Sequence, residues 1–379
     1  MKVAIFVSEL NVRGGTHKQI LRLSQYLNEN GVNVAIFTPT YIKSQTYEEF
    51  NELEIIFYHD GDNKERGKIL KTIHDLYVQY WLFKKSMHFD VVNVHDNRGI
   101  FYILLHRLIA KIPLAWQIND IDPSFHQGTA KDYRGRLDFI RRIFARLAAK
   151  LVNKITVNVT KNAVLVKQFL ERDAEVLYCG VDAPPLPIKR KSLDASINIV
   201  STGVFLKYRN YETLITACEK IKEGNVRNIS LTIIGKTTLD KIYYQNIQDS
   251  AKKSKIAVRI LGEVSEKELN DIYEEGHIFA FINIDQSWGL AAFEAAGYGM
   301  PVILSSSVGG SELLNKCDGV VIVDPLDISA IAKGFNELTK SDELYAFYSR
   351  SAVSFVKNLT WEKAYCNPML KIFTGLAKS

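Results

Sequence analysis

Cysteine is scarce and unclustered. Cys179, Cys218, Cys317 and Cys366 are spread over a chain of 379 residues, and no two stand at C-x-x-C spacing. That excludes a disulfide framework and the common zinc patterns, and it suits free thiols in a reducing compartment. No run approaches the roughly 20 apolar residues of a membrane-spanning helix. The first residues, Met1 to Val7, enter a strand-like pattern at once and carry no small-residue cleavage site. No leader is expected, and the expected location is the cytoplasm. Catalytic triads, nucleophile elbows and Walker loops are absent. So are low-complexity segments and short-period repeats. Aromatic residues do not interleave with basic ones as nucleic-acid surfaces require, so no nucleic-acid partner is expected. Charge of one sign is only in slight excess, at +6. That is compatible with a polyanion, a nucleoside diphosphate or an anionic membrane surface, and it selects none of them.

What is present is ordinary globular material, 47% hydrophobic and 24% charged. The length exceeds one usual core, so two domains are expected. Apolar strand-like runs at 2–7, 32–37, 54–58, 90–94, 114–118 and 154–158 alternate with helical segments, as in a doubly wound α/β domain. The first helix follows a loop ending in Gly14 and Gly15, with Thr16 a possible cap, and stops at Gly31. Gly14 and Gly15 sit where a dinucleotide-binding glycine loop would, but the G-x-G-x-x-G spacing is missing. Three prolines and the basic run Lys189 to Lys191 then read as a linker. A second alternating series follows at 197–203, 229–235, 258–261, 277–283, 301–304 and 320–324. The expected division is 1–183, a linker at 184–196, a second domain at 197–358, and a final helix at 359–379 packing back on the first domain. The cleft between two such halves is the expected site.

The stretch from Gln286 to Pro301 organises the second half. It reads as strand, loop, helix, strand, with Gly289 opening the helix. Ligands of parallel sheets lie beyond the carboxyl ends of the strands, where helix N-termini present unpaired N–H groups. Gln286 and Ser287 fall in that loop, and Glu294 lies about one and a half turns into the helix. A second small-residue loop, Ser305 to Ser311, follows the next strand. The pair suits a diphosphate, because glycines let backbone N–H groups approach its oxygens. Lys207 and Arg209 end the first strand of this half; Arg209 could clamp a diphosphate bidentately and stabilise a leaving phosphate, or both could be solvated cations. In the first half, Asn119, Asp120 and Asp122 end a strand. Asp120 and Asp122 could form a D-x-D metal clamp or act as helix caps. His95 and Asp96 end the preceding strand, in either a site role or a buried one. Residues 134–154 form a basic amphipathic segment. Leu137, Ile140, Phe144, Leu147 and Leu151 recur at helical spacing, while Arg136, Arg141, Arg142, Arg146 and Lys150 project elsewhere. Either one face enters the core and the other meets water, or the segment meets an anionic lipid surface.

These residues together resemble the large retaining glycosyltransferase family of GT-B fold, the group 1 or family 4 type. The resemblance spans most of the chain and is strongest from Gly203 to Glu312. Gly14 and Gly15 match the family's glycine pair. Gly203-Val-Phe-Leu-Lys-Tyr-Arg209-Asn210 matches its G-R-L-x-x-x-K-G loop, and Gln286 with Glu294 matches its E-x7-E motif. The resemblance implies two Rossmann-like α/β domains facing across a cleft. It implies a nucleoside diphosphate sugar donor held by Gly14, Gly15, Lys207, Arg209, Gln286, Ser287, Trp288, Gly289, Leu290 and Glu294. Glu294 would bind the ribose, Gln286 the sugar hydroxyls, and amides near Trp288 to Leu290 the sugar and phosphate. Arg209, Asp120 and Gln286 become the catalytic candidates, and Asn119, Asp120 and His126 the acceptor-side ones. No metal or cofactor is implied. The acceptor would be a glycan or a lipid-linked glycan, with peripheral membrane contact through 134–154. The chain departs from the pattern at Val204, where the family has Arg, at Gln286, where it has a carboxylate, and at Asn119, where it has His. A non-catalytic nucleotide-sugar or glycan-binding protein of the same fold is the alternative, and a GT-B-like epimerase a more distant one.

Overall fold

The structure, a computed structural model, describes residues 1–58, 68–95, 99–120, 138–182, 188, 193, 196–224 and 228–378. The chain divides into two compact units: Met1–Gly180 together with Trp361–Ser379, and Val181–Thr360. Asp96, Asp122, His126, Arg134, Arg136 and Leu137 lie outside the described residues.

Unit one is a seven-stranded parallel sheet in the order β3-β2-β1-β4-β5-β6-β7. Its strands are β1 Lys2–Phe6, β2 Asn33–Thr38, β3 Glu54–Phe57, β4 Val91–His95, β5 Leu114–Ile118, β6 Lys154–Val157 and β7 Glu175–Val176. Its helices are α1 Gly15–Glu29, α2 Lys68–Ser86, α3 Ile100–Leu105 with a π segment at His106–Ala110, α4 Asp138–Leu151 and α5 Thr160–Leu170. Strands covered on both faces read as unbroken apolar runs, and Val3 to Phe6 are all buried. The crossover from β1 out to β2 puts α1 on one face. Those from β3 back to β4, and on through β5 and β6, put α2, α3, α4 and α5 on the other, because such connections are right-handed.

Unit two is a six-stranded parallel sheet in the order β10-β9-β8-β11-β12-β13. The strands are β8 Ser196–Thr202, β9 Asn228–Ile234, β10 Ala257–Leu261, β11 Ile278–Phe281, β12 Val302–Ser305 and β13 Val320–Val323. The helices are α6 Tyr211–Gly224, α7 Lys241–Lys253, α8 Glu266–Glu275, α9 Leu290–Gly297, α10 Ser311–Leu314, α11 Ile328–Leu338 and α12 Asp342–Lys357. Leu193, in the stretch expected as a linker, is fully buried in this unit's core. The chain then passes through a π segment at Glu362–Cys366 and α13 Asn367–Leu376, which belong to unit one, the π segment packing on α1.

Two local expectations are corrected. Thr16 does not cap α1: Gly14 holds the N-cap position with no side-chain cap, and the Thr16 hydroxyl instead accepts from Asn119 Nδ2 at 3.1 Å. In α4 the stripe expected in the core points out. Ile140, Phe144 and Leu147 are exposed, Leu151 is half-buried, and Ala145, Ala148 and Ala149 are buried in their place, with Val152 just past the helix end. Small residues let the helix lie close to the sheet, so its large apolar side chains are left outside.

Candidate functional site

Strand order in unit two reverses between β8 and β11, since β8 leads outward to β9 while β11 leads the other way to β12. That switch point opens a crevice at the carboxyl ends of the two strands. Three loops converge there. Gly203 leaves β8 with φ +150°, and its N–H donates to Ile234 O at 2.8 Å, while Phe205 N–H donates to Lys236 O at 2.9 Å. A Cβ on Gly235 would lie 2.0 Å from Gly203 O, so the ends of β8 and β9 touch backbone to backbone. A one-turn 3-10 segment, Lys207–Arg209, follows, closed by Asn210 in the left-handed region at φ 58°. Asn210 matches the family's Gly there and does what that glycine would do. Its Nδ2 donates to Pro325 O at 2.7 Å. Tyr208 O accepts from Ile284 N–H at 2.8 Å, which ties this turn to the loop after β11.

That loop is zipped to the one after β12. Gly309 N–H donates to Gln286 O and Gly310 N–H to Trp288 O, both at 2.9 Å. A Cβ on Gly310 would meet Trp288 O at 2.4 Å, and one on Gly289 would meet Val308 Cγ1 at 2.7 Å. Gly289, at φ 87°, turns the chain into α9. The α9 N-terminus has no side-chain cap. In the same unit α7, α8, α11 and α12 are capped by Asp240, Ser265, Asp327 and Ser341. An uncapped first turn leaves N–H groups without an intrahelical partner, and these favour an anion. The second small-residue loop opens only α10, a single turn of four residues, so of the two helices that these loops open, α9 alone is a full helix.

The Arg209 guanidinium lies across Gly203: a Cβ there would stand 2.5 Å from Arg209 Cζ. The same guanidinium sits 5.3 Å from the Phe281 ring centroid and 5.1 Å from that of Tyr208. Its Nε is buried without a hydrogen-bond partner. Tyr211 anchors the floor, its hydroxyl donating to Gly203 O at 2.9 Å. Burial pushes the Tyr211 phenol pKa up, and the Arg209 charge opposes that shift. A half-buried cation over aromatic faces, with no carboxylate bonded to it among the described residues, is an anion receptor in waiting. Gln286 and Ser287, in the loop that Ile284 ties to the Arg209 turn, are half-buried, and the Gln286 amide is only weakly engaged, by Asn283 Nδ2 at 3.4 Å. Glu294 is half-buried on α9, and Lys207 is exposed. Trp288 turns inward and stacks on Phe293 at 4.6 Å between centroids, so it offers this surface its backbone and not its ring.

In unit one the reversal falls between β1 and β4. Gly14 and Gly15 open α1 there. The fold does not demand glycine at either position: a Cβ on Gly15 would meet nothing within 4 Å, and Gly14 is extended at φ −125°. Asn119 is fully tied down. Its Nδ2 donates to Gln19 Oε1 at 2.8 Å and to Thr16 Oγ1, its Oδ1 accepts from Gln117 Nε2 at 2.9 Å, and its O accepts from Asn162 Nδ2 at 2.7 Å. It therefore fixes the end of β5 against α1 and leaves the neighbouring Asp120 exposed. His95 is wholly buried, and burial with His17 nearby drives its pKa down to about 3. It stays neutral inside the sheet layer. Among the described residues no group of three or more His, Cys, Asp and Glu could hold a metal ion.

The sequence missed Gly235, Tyr208 and Phe281, which build the seat of Arg209. The signal for Gly235 was a glycine closing an apolar strand one strand away from Gly203.

Residues 187–354 match the family model described as Glycosyl transferases group 1, and residues 13–183 match the one described as Glycosyltransferase Family 4. A curated relative, O-antigen chain mannosyltransferase B of Escherichia coli, is 24% identical over 123 residues, 32% of this chain and 31% of that protein. The chain spans less than a third of the length of the curated relatives it matches. Among solved structures, sucrose-phosphate synthase of Thermosynechococcus elongatus superposes with a TM-score of 0.82 at 15% identity, covering 100% of both chains. Alr3699/HepE of Anabaena, solved in complex with UDP and glucose, does so with a TM-score of 0.81 at 13% identity, covering 99% of this chain and 100% of that one. Both likenesses establish the two-sheet α/β GT-B fold.

Proposed function

The chain belongs to the group 1, family 4 glycosyltransferases, and from that premise we propose that it moves a hexose from a nucleoside diphosphate sugar to a hydroxyl acceptor with retention at the anomeric carbon. The observation that carries this reading is the Arg209 guanidinium, half-buried over Gly203 and Phe281 with an orphan Nε. A diphosphate supplies the charge that this cation lacks. As the bond from the anomeric carbon to the phosphate oxygen breaks, negative charge grows on the leaving diphosphate. Arg209 and the uncapped first turn of α9 would stabilise that charge, and Lys207 would add to the field. Gln286 would orient the sugar hydroxyls through an amide that both donates and accepts. Glu294 would accept from the ribose. The acceptor hydroxyl attacks on the face the diphosphate leaves, its proton passing to the departing diphosphate oxygen, with Asp120 as the polar group on the acceptor side. Gly14 and Gly15, glycines that nothing in the fold requires, would admit the donor's phosphates close to the α1 N-terminus.

The chemistry needs no metal, because the cation and amides neutralise the diphosphate directly. The acceptor is a glycan or lipid-linked glycan of cell-surface polysaccharide assembly, and membrane contact through 134–154 belongs to the same reading. A relative named for O-antigen mannosyl transfer and a neighbour solved with UDP and glucose support the substrate classes.

The test is a thermal-shift screen against UDP-, GDP-, ADP- and dTDP-sugars, followed by transfer assays with the donor that binds. A donor at 100 times its Kd stabilises the native state by about 2.7 kcal/mol, a readily seen rise in melting temperature. Arg209→Ala is expected to weaken diphosphate binding by about 10- to 100-fold, the range for losing a charge-assisted bond. If no donor binds and none turns over, the proposal fails. Donor binding without turnover under any acceptor would leave a binding protein of the same fold.

A further inference from the structure

Helix α4 carries two apolar faces. The inward one is built of Ala145, Ala148 and Ala149, continued by Val152 just past the helix end, and it already packs on the sheet. The outward one is built of Phe139, Ile140, Ile143, Phe144 and Leu147, all exposed, with Phe139 at 72%. At 100° per residue these five fall on the side of the helix opposite the alanines. Helix α2 repeats the pattern. Val78 and Leu82 are buried, while Ile73, Leu76, Tyr77 and Tyr80 form an exposed stripe at i, i+3, i+4 and i+7. Between the two helices, in the π segment after α3, Leu108 is 64% and Ile109 58% exposed. Right-handed crossovers put α2, α3 and α4 on one side of the sheet, and α3 packs against both neighbours. The three outward stripes therefore share one face. Scattered exposed apolar residues are normal, but a contiguous set of this kind marks an interaction surface.

The charges around it choose the partner. Lys84, Lys85, Arg107, Arg141, Arg146 and Lys150 border the stripes. Among the described residues of the three helical segments whose side chains are placed, Asp75 is the sole acid. A second copy of this chain would bring a like-charged face and be repelled. No helix of the described residues is long and apolar enough to cross a membrane, so the face would lie on a bilayer and not in it. Tyr77 and Tyr80 have an apolar ring and a polar tip, as suits the level of the headgroups. We infer that the outer face of α2, the π segment and α4 is a single lipid-docking surface. It would insert Phe139, Ile143, Phe144, Ile73 and Leu108 into the headgroup boundary of an anionic bilayer, with the basic border on the lipid phosphates. This extends the contact beyond residues 134–154 to three helices, and its readout is lipid binding, so it stands or falls apart from the donor reading.

The experiment is sedimentation of the full chain with phosphatidylcholine vesicles, and with vesicles of phosphatidylcholine and phosphatidylglycerol in equal parts. The chain is expected to bind the mixed vesicles, to bind the neutral ones at least tenfold more weakly, and to release as salt rises. Phe139→Ser with Phe144→Ser, and separately Arg141→Glu with Lys150→Glu, should each reduce binding at least tenfold. About fivefold per basic residue near the surface is the ordinary increment. All four positions are exposed, so the melting temperature should hold; should the first pair fail to fold, the charge pair decides alone. No binding to the mixed vesicles overturns the proposal. So does binding that neither pair alters, or loss of self-association rather than of lipid binding in the variants, which would make the face a contact between copies.

Discussion

An alanine at position 203 would have to hold φ at +150° and place its Cβ 2.5 Å from the Arg209 Cζ. The arginine has little room to yield, because Tyr208 and Phe281 flank it. Gly203→Ala should therefore cost about 1–3 kcal/mol of stability, the usual range for a forced backbone conformation. It should also weaken donor binding by about tenfold or more by displacing the guanidinium. Combining it with Arg209→Ala separates the two effects. The double variant should regain part of the lost melting temperature but no donor affinity, and a double variant as unstable as Gly203→Ala would show that the clash lies elsewhere. The buried histidines give a pH signature. Burial lowers His95 to about 3 and His106 to about 4 from an ordinary value near 6.5. The His106 ring bonds Ser86 Oγ and Tyr102 O, both at 2.7 Å. Between those values and 6.5 the unfolded chain binds protons that the folded chain does not, so stability rises with pH across the window and is fully present above 6.5. Acidifying from pH 7 to 5 should remove about 2 kcal/mol per histidine. His106→Gln should flatten the denaturant-midpoint profile over that range by about half, and an unchanged slope would refute the assignment.

At the scale of elements, periodicity located most strands, because parallel strands covered on both faces leave short apolar runs between turn residues. Leu114 to Ile118 is observed as expected, and the rest shift by a residue or two. The run from His277 shrinks to Ile278–Phe281, with Ile282 already in the loop that carries the site. The two-residue β7 escaped notice because two residues make no period. Helix α4 misled for a clearer reason. Hydrophobic periodicity weights large side chains, so it points to Phe144 and Leu147 and overlooks the alanine face that touches the sheet. A helix with two apolar faces has two solutions by periodicity, and only packing against the sheet chooses between them. The site was legible where residue type limits backbone conformation. Gly289 at φ 87° and Gly203 at φ +150° hold backbone conformations that glycine alone takes readily, so the residue type itself marks the two turns. Asn210, left-handed at φ 58°, stands where the resembling family has glycine. What was not legible is tertiary: the approach of Gly235 to Gly203, the aromatic seat of Arg209, and the bonds by which Asn119 braces the end of β5 against α1.

At the scale of the whole molecule, the chain's last segment leaves unit two and completes unit one. Trp361, Tyr365, Met369 and Phe373 are buried, and the Tyr365 hydroxyl donates to Gln117 Oε1 at 3.2 Å, beside the Asn119 brace. Four large side chains at about 2 kcal/mol each contribute on the order of 8 kcal/mol. That is comparable to the 5–15 kcal/mol by which a whole domain is usually stable. A chain ending at Thr360 should therefore keep unit two folded and leave unit one open. The core of unit two, from Leu193 through Phe335 and Tyr345, lies wholly within residues 181–360. Hydrogen exchange on the truncated chain should show β8, β11 and β12 protected as in the full chain, with β1, β4 and β5 exchanging fast. The charged part of the proposed diphosphate site, Arg209 and Lys207, and the α9 N-terminus belong to unit two, and of the proposed phosphate contacts Gly14 and Gly15 alone lie in unit one. The truncated chain should thus still bind the nucleoside diphosphate within about tenfold of the full chain, while transfer falls to background. Full protection of β1, β4 and β5 would show that the terminal segment is an accessory to unit one. Loss of nucleotide binding with β8 and β11 still protected would place the diphosphate contacts outside unit two.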